Sequence, residues 1–337
     1  MNELLLSVII PIYAAENCLR FCADSILQQL PANAQLILVD DGSPDKSGYL
    51  CDKIAEEDSR VLVLHQKNSG ASAARNAGIA VAQGRWVQFV DADDHLLPGL
   101  FDTVLPFLQK ENLDLIVFGI QPATGSRLPL PHGCWPSPAH MPNPEKIIDD
   151  LLIHDGALVA PYGKFYRRST LGDLRFDPNL KINEDYLFNT EYLAKCGPLC
   201  FVPQSFYFYD NSNEGSISHQ LHGDVLDMEL YTRPALEKLA DALCLQPSQK
   251  SALLSSRKTY TYLCQYDILA GQKGSMPFAH RLSLMRRIFA QPSVYALLKD
   301  RYFHQDKSLF ALPYKFCFWV RSPGLLALYC TIKNLFL

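Results

Sequence analysis

The chain has 337 residues, 48% hydrophobic and 20% charged, a composition that excludes a disordered protein and leaves room for two domains. Its formal net charge of −4 argues against a general nucleic-acid binder, which carries a basic surplus. The balance is uneven: residues 281–337 hold nine Lys and Arg against Asp300 and Asp306, a surplus of +7 that leaves −11 on residues 1–280.

In chain order, LLLSVIIPIY, QLILVDD, RVLVLHQ, WVQFVDA and LDLIVFGI are short apolar, β-branched runs without polar alternation, the pattern of strands buried on both faces. Amphipathic segments of helical length separate them: Glu16–Gln29, Asp45–Glu57, Ala71–Ala82 and Pro98–Lys110. Asp45 suits the cap of the second helix and Pro98 the first turn of the fourth. Strand–helix repeats of this length predict an α/β domain whose mostly parallel sheet is flanked by helices, with right-handed crossovers. A ligand then lies beyond the carboxyl ends of the strands. Two acidic clusters sit there, Asp40–Asp41 and Asp91–Asp93–Asp94.

Residues 121–145 carry seven prolines and no periodicity, which reads as a loop forming a lip over the site. PEKIIDDLLIH reads as a helix, KINEDYLFNTEYLAK as a loop feeding a helix, and SFYFYDNSNEGSISH as a strand and loop. Residues 225–337 are almost wholly helical in pattern. The expected organisation is an α/β domain over 1–222, divided at about residue 120 into halves 1–120 and 121–222, and a helical region over 223–337. The ten cysteines include no CxxC; Cys18/Cys22 and Cys196/Cys200 are spaced as on one helix face. The apolar N-terminus lacks a basic leader, so the thiols are expected reduced and mostly small core residues. The uncharged run 322–332 is too short to span a membrane.

Three carboxylates within four positions beside a buried strand cost free energy unless a cation compensates. One aspartate would serve as a helix cap, but three suit Mg²⁺ or Mn²⁺, which takes one or two carboxylates and completes its sphere with water and phosphates. The turn VDDGSPD places Asp40 and Asp41 where a carboxylate can read a base or ribose, although an Asx turn explains the same residues. In NSGASAARNAG, small residues let a helix start close to a phosphate, with Arg75 and Asn76 as donors; a packed Ala-rich helix is equally compatible.

Taken in order and spacing, SVIIPIYAAENCL, VDDGSPD, NSGASAARNAG and FVDADD closely resemble the inverting glycosyltransferases of family 2, which have the GT-A fold. The resemblance covers roughly residues 5–220 and implies a nucleotide-sugar donor, most often a UDP-sugar, with Mn²⁺ or Mg²⁺ as cofactor. Carried over by position, it implies that Pro11 and Tyr13 line the nucleotide pocket, Asp40–Asp41 lie at the base and Arg75 lies near the nucleotide. Asp91 would face the ribose or sugar, with Asp93 and Asp94 serving the metal. Ala14 departs from the pattern, since the family usually has Asn after the Tyr. KINEDYLFN resembles the family's "ED" element, making Asp185 the general base with Glu184 beside it; plain helix capping from Asn183 is the alternative. Lys164 occupies a position where relatives often carry Lys, near acceptor or phosphate, against an equally weighted solvated Lys. His219 is a further candidate metal ligand. Basic residues interleaved with aromatics in 309–337 suit an anionic membrane surface, against packing on the domain or a homodimer interface. The expected function is sugar transfer to a saccharide or lipid-linked saccharide for the cell surface, at the cytoplasmic face of the plasma membrane. The alternative is a non-catalytic nucleotide-sugar-binding or scaffold protein.

Overall fold

The computed structural model describes residues 4–154, 156–180, 182–210, 226–271, 278–300, 317 and 322–336. The chain divides into two compact units, Met1–Glu214 with Pro234–Lys250, and Gly215–Arg233 with Ser251–Leu337.

The first unit is built on a nine-stranded sheet. One side comprises β1 (Leu6–Ile12), β2 (Ala34–Asp40), β3 (Val61–His65) and β4 (Trp86–Phe89), all parallel in the order β3-β2-β1-β4. Helices α1 (Leu19–Leu27), α2 (Ser47–Glu57) and α3 (Ala71–Val81) connect them. The apolar runs of β1, β2 and β4 are buried because helices cover both faces. β3 departs from that expectation: it is the edge strand, and Leu62 is left 40% exposed. Asp45 stands one residue before the cap position, Lys46, and its Oδ1 accepts the Ser47 amide at 3.0 Å where α2 begins. Pro98 falls just outside α4 (Leu100–Leu108) because Gly99, at φ 86°, forms the left-handed turn that starts the helix.

The other side is mixed rather than parallel. Short β5 (His95–Leu96) follows β4, then β6 (Leu115–Pro122), β7 (Gly133–Trp135), β8 (Lys164–Arg167) and β9 (Leu199–Tyr209). β8 lies between β4 and β6, antiparallel to both; β6 and β9 are parallel, and β5 and β7 pair antiparallel with β9. The proline-rich 121–145 segment is therefore not all loop: β7 is held by a partner remote in sequence. Within that pairing Cys134 lies opposite Cys200, and the two form a disulfide. This corrects the expectation of uniformly reduced thiols, and Cys200 sits on a strand rather than on a helix face with Cys196. Five free cysteines, Cys22, Cys51, Cys196, Cys317 and Cys330, are buried as small core residues.

Short helices α5 (Pro144–Ile148) and α6 (Arg168–Leu171) precede α7 (Glu184–Lys195), with a π-helical turn over Asp149–His154. Beyond them run α8 (Leu226–Ala242) and α9 (Pro247–Gly271), each shared between the two units. The second unit adds α10 (Phe278–Phe289), α11 (Pro292–Asp300) and α12 (Pro323–Phe336), closed around Tyr266, Met285, Ile288, Leu298 and Leu326. Among the described residues no helix is long and apolar enough to cross a membrane. Of the aromatic and basic run expected to meet a membrane, Tyr314, Lys315, Trp319 and Arg321 lie outside the described residues.

Candidate active site

Parallel pairing puts the carboxyl ends of β1, β2 and β4, and with them both acidic clusters, at the same edge of the sheet. Tyr13, just past β1, is exposed at 54%, while Pro11 is half-buried within the strand. Between them and α1, Ala14 adopts φ 51°, a left-handed conformation that Asn tolerates better than Ala. That is a physical reason for the Asn usually found there.

Asp40 and Asp41 are both buried and hold the local backbone. Asp40 accepts the Ser43 amide at 3.0 Å, closing the Asx turn, and its other oxygen meets His65 Nδ1 at 3.0 Å. These bonds outweigh its burial, and the carboxyl sits below its ordinary range. Asp41 accepts the Gln66 amide and the backbone N–H groups of Ser69 and Gly70 at 2.7–2.9 Å. It thus ties β2 to the start of α3, whose first amides sequence reasoning aimed at a phosphate. Asn76 likewise turns inward, bonded both ways to the backbone of Phe176 at 2.8 and 2.9 Å.

Arg75 is 5% exposed and lies over the Phe176 ring. Its Nη2 donates to Asp91 Oδ1 at 2.9 Å and its Nη1 to Asp185 Oδ1 at 3.2 Å. Burial works against the guanidinium's charge, but Asp185 and Asp91 more than offset it, so its pKa is raised. Asp185 stands in the first turn of α7, beside Glu184. Its helix starts from Asn183 at φ 64°, with no side-chain cap bond, and both acidic residues lie in its first turn. Burial, with Glu184 and Asp91 adding repulsion against the attraction of Arg75 and Lys164, pushes the Asp185 carboxyl up to about 7.

The three strand-end aspartates divide their roles. Asp94, at 2% exposure, uses both oxygens inside the protein: the Tyr207 hydroxyl donates to Oδ2 at 2.5 Å and the Asp210 amide to Oδ1 at 2.8 Å. Burial and the neighbouring Asp91 raise its carboxyl to about 8. Tyr207 also accepts the Asp91 amide at 3.1 Å, so one hydroxyl spans the cluster. Asp93 is exposed, and its carboxyl is raised by desolvation and by Asp91 and Asp210. Among the described residues no group of three or more His, Cys, Asp or Glu is arranged as a metal cage. An open carboxylate among repelling neighbours fits a hard dication held by one or two protein oxygens and a ligand's phosphates. His219 lies outside the described residues.

Lys164 is not the solvated lysine that its sequence allowed. It is 1% exposed, and its ammonium donates to the carbonyls of Ala157, Ala160 and Tyr162 at 2.6, 2.6 and 3.2 Å. Tyr207, Tyr162 and Asn189 went unnoticed in the sequence; the alternation in SFYFYD, which places Tyr207 and Tyr209 on one face, was the available signal for the first.

An α/β sheet of this order, with carboxylates gathered at its strand ends, is the GT-A fold. A crystal structure of Staphylococcus aureus TarS 1–349 in complex with UDP-GlcNAc superposes with a TM-score of 0.65 at 18% identity, covering 96% of this chain and 89% of that one. Residues 7–175 match the family described as Glycosyl transferase family 2, and the chain belongs to that family. It is similar to the glycosyltransferase EpsJ of Bacillus subtilis, 28% identical over 67% of this chain and 66% of that protein. It is also similar to the minor teichoic acid biosynthesis protein GgaA of the same organism, 31% identical over 62% of this chain and 47% of that protein. The matched stretches thus span about half to two thirds of these relatives.

Proposed function

We propose that the chain is an inverting glycosyltransferase that moves a sugar from a UDP-sugar to a saccharide or lipid-linked saccharide in cell-surface polysaccharide or glycolipid synthesis. The observation that carries this reading is the Arg75 bridge, which joins the strand-end Asp91 to Asp185 from the other half of the domain. A donor-side carboxylate and a candidate base are thereby held at one point. The names of two neighbours support the substrate class: TarS was crystallised with UDP-GlcNAc, and GgaA is named for teichoic acid biosynthesis.

In this reading the nucleotide lies along Pro11, Tyr13, Asp40, Asp41 and Arg75, with Asp91 toward the ribose or sugar. Asp93 faces the diphosphate and Asp94 stands behind it. Mn²⁺ or Mg²⁺ bound there would supply positive charge against the diphosphate leaving group. Asp185 takes the proton from the acceptor hydroxyl as that oxygen attacks the anomeric carbon opposite the leaving group, and a carboxyl near pH 7 is matched to the task. Arg75 fixes the carboxylate's direction. On the β6/β9 flank a cavity of about 250 Å³ is lined by Phe118, Arg127, Leu128, Pro129, Ala157 and Ser205, and none of the site carboxylates, Asp185 included, lines it. The basic surplus of residues 281–337 rests on an anionic membrane surface.

Calorimetric titration of UDP with and without Mn²⁺, repeated on Asp93→Ala, tests the donor site. Metal-dependent binding lost in the variant supports it and directs a screen of UDP-sugars, UDP-GlcNAc first. Silence from UDP, GDP, CDP and dTDP alike overturns the enzyme reading and leaves a scaffold.

A further inference from the structure

A lysine at 1% exposure is costly unless something needs its protons. The 157–163 segment needs them. It has no regular structure, and side chains catch four of its carbonyls: Lys164 takes Ala157, Ala160 and Tyr162, and Asn189 Nδ2 takes Val159 at 2.6 Å. Three carbonyl acceptors match the three donors of an ammonium; a neutral amine has only two. With every proton engaged, Lys164 has none left for a phosphate or an acceptor.

The segment delivers one side chain to the site. Gly163, at φ 70° and with the place of a Cβ only 3.0 Å from Ile120, turns the chain so that Tyr162 faces β9. There the Tyr162 ring stacks on Tyr207 at 4.4 Å and 6° and reaches Tyr209 at 5.5 Å. Tyr207 is the residue whose hydroxyl holds both Asp94 and the Asp91 amide. On the other side, Asn189 spans from the Val159 carbonyl to the Asp185 carbonyl, the latter at 2.9 Å.

We propose that Lys164 is a positioning residue: it clamps the 157–163 segment so that Tyr162 braces Tyr207 against Asp94 while Asn189 ties the same segment to the helix bearing Asp185. The clamp sets the distance between the leaving-group side and the base side of the reaction without touching either substrate, and it rests on the function proposed above. Burial pulls the Lys164 ammonium down to about 7, Arg127 adding to that and Asp185 opposing it, while the three carbonyls favour the charged form.

The test uses the full chain with Lys164→Met, Tyr162→Leu and both. Hydrogen exchange at the Asp210 amide, which donates to Asp94, reads the brace directly. The expected result is exchange about tenfold faster at Asp210 in all three variants, and faster across 157–163 only where Lys164 is lost. With UDP-GlcNAc as donor, kcat falls about 10–100-fold, donor KM stays within about twofold, and the double variant is no worse than the worse single. UDP affinity falling in step with kcat would make Lys164 a donor contact and overturn the proposal, as would additive losses or unchanged exchange at Asp210. If Lys164→Met does not melt cooperatively, Tyr162→Leu decides alone, because it leaves the clamp intact. A wild-type chain that binds no nucleotide would sink the proposed function, while the exchange measurement would still decide the clamp.

Discussion

Replacing Arg75 with methionine keeps the volume of the side chain and removes the charge that joins Asp91 to Asp185. The Arg75 side chain is 6% exposed, whereas the two aspartates keep 27% and 26% of their side-chain surface. Breaking a fully buried pair costs roughly 3–5 kcal/mol and an exposed one about 0–1, so partial screening places this loss at about 2–4 kcal/mol. In urea that lowers the unfolding midpoint by about 1 M, readable from tryptophan fluorescence because Trp86 is fully buried. The deficit depends on pH with a definite sign. Asp185 already sits at about 7 with its cation present, and losing that cation raises it further. A carboxyl raised in the folded state costs stability as pH climbs through its unfolded value toward its folded one. The variant is therefore weakest near pH 8 and recovers toward pH 5, where Asp185 is protonated. Adding Asp185→Asn to Arg75→Met should restore part of the loss. A deficit below about 1 kcal/mol, or one constant from pH 5 to 8, would refute the bridge as a buried, compensating contact.

Asp185→Asn should lower transfer by about 10³-fold or more while leaving UDP binding within about twofold, and wild-type kcat should show an acid limb near pH 7 that the Arg75 variant shifts upward. Ala14→Asn should stabilise the chain by about 0.5–1 kcal/mol in chemical denaturation, because φ 51° suits Asn better than Ala; a loss would mean that the loop has no room for the amide. His65 meets Asp40 and Asp52 through its two ring nitrogens at 3.0 Å each, and these bonds raise its pKa. Its contribution is full below about pH 6.5 and disappears as pH rises through the folded value, so wild type should exceed His65→Gln at pH 6 and match it at pH 9.

The runs that became β1, β2 and β4 were legible because burial on both faces leaves an unbroken apolar signal, and their carboxyl ends fix where the aspartates gather. β8 was not legible: KFYR is short, ends in a cation and owes its place to neighbours on both sides. β5 has two residues, too few for any period, and β7 draws on β9 for its order, which also hid the Cys134–Cys200 disulfide. Asp91 and Asp94 share a motif, yet one faces Arg75 and the other Tyr207, a split set by residues distant in sequence. Lys164 was visible as a residue and opaque as a role, since no local pattern reveals that three carbonyls converge on it.

The antiparallel seat of β8 also governs how the chain can be made. As synthesis proceeds, β1 to β4 can associate early, but β4 keeps an open hydrogen-bonding edge until Tyr166 and Arg167 emerge roughly 80 residues later. During that interval the growing polypeptide presents an unpaired edge ending in buried-type residues, the geometry that invites association with another nascent chain. A ribosome pausing between residues 90 and 160 would lengthen the exposure. Such a pause should raise aggregation far more than one placed after residue 210, although the finished protein would be identical.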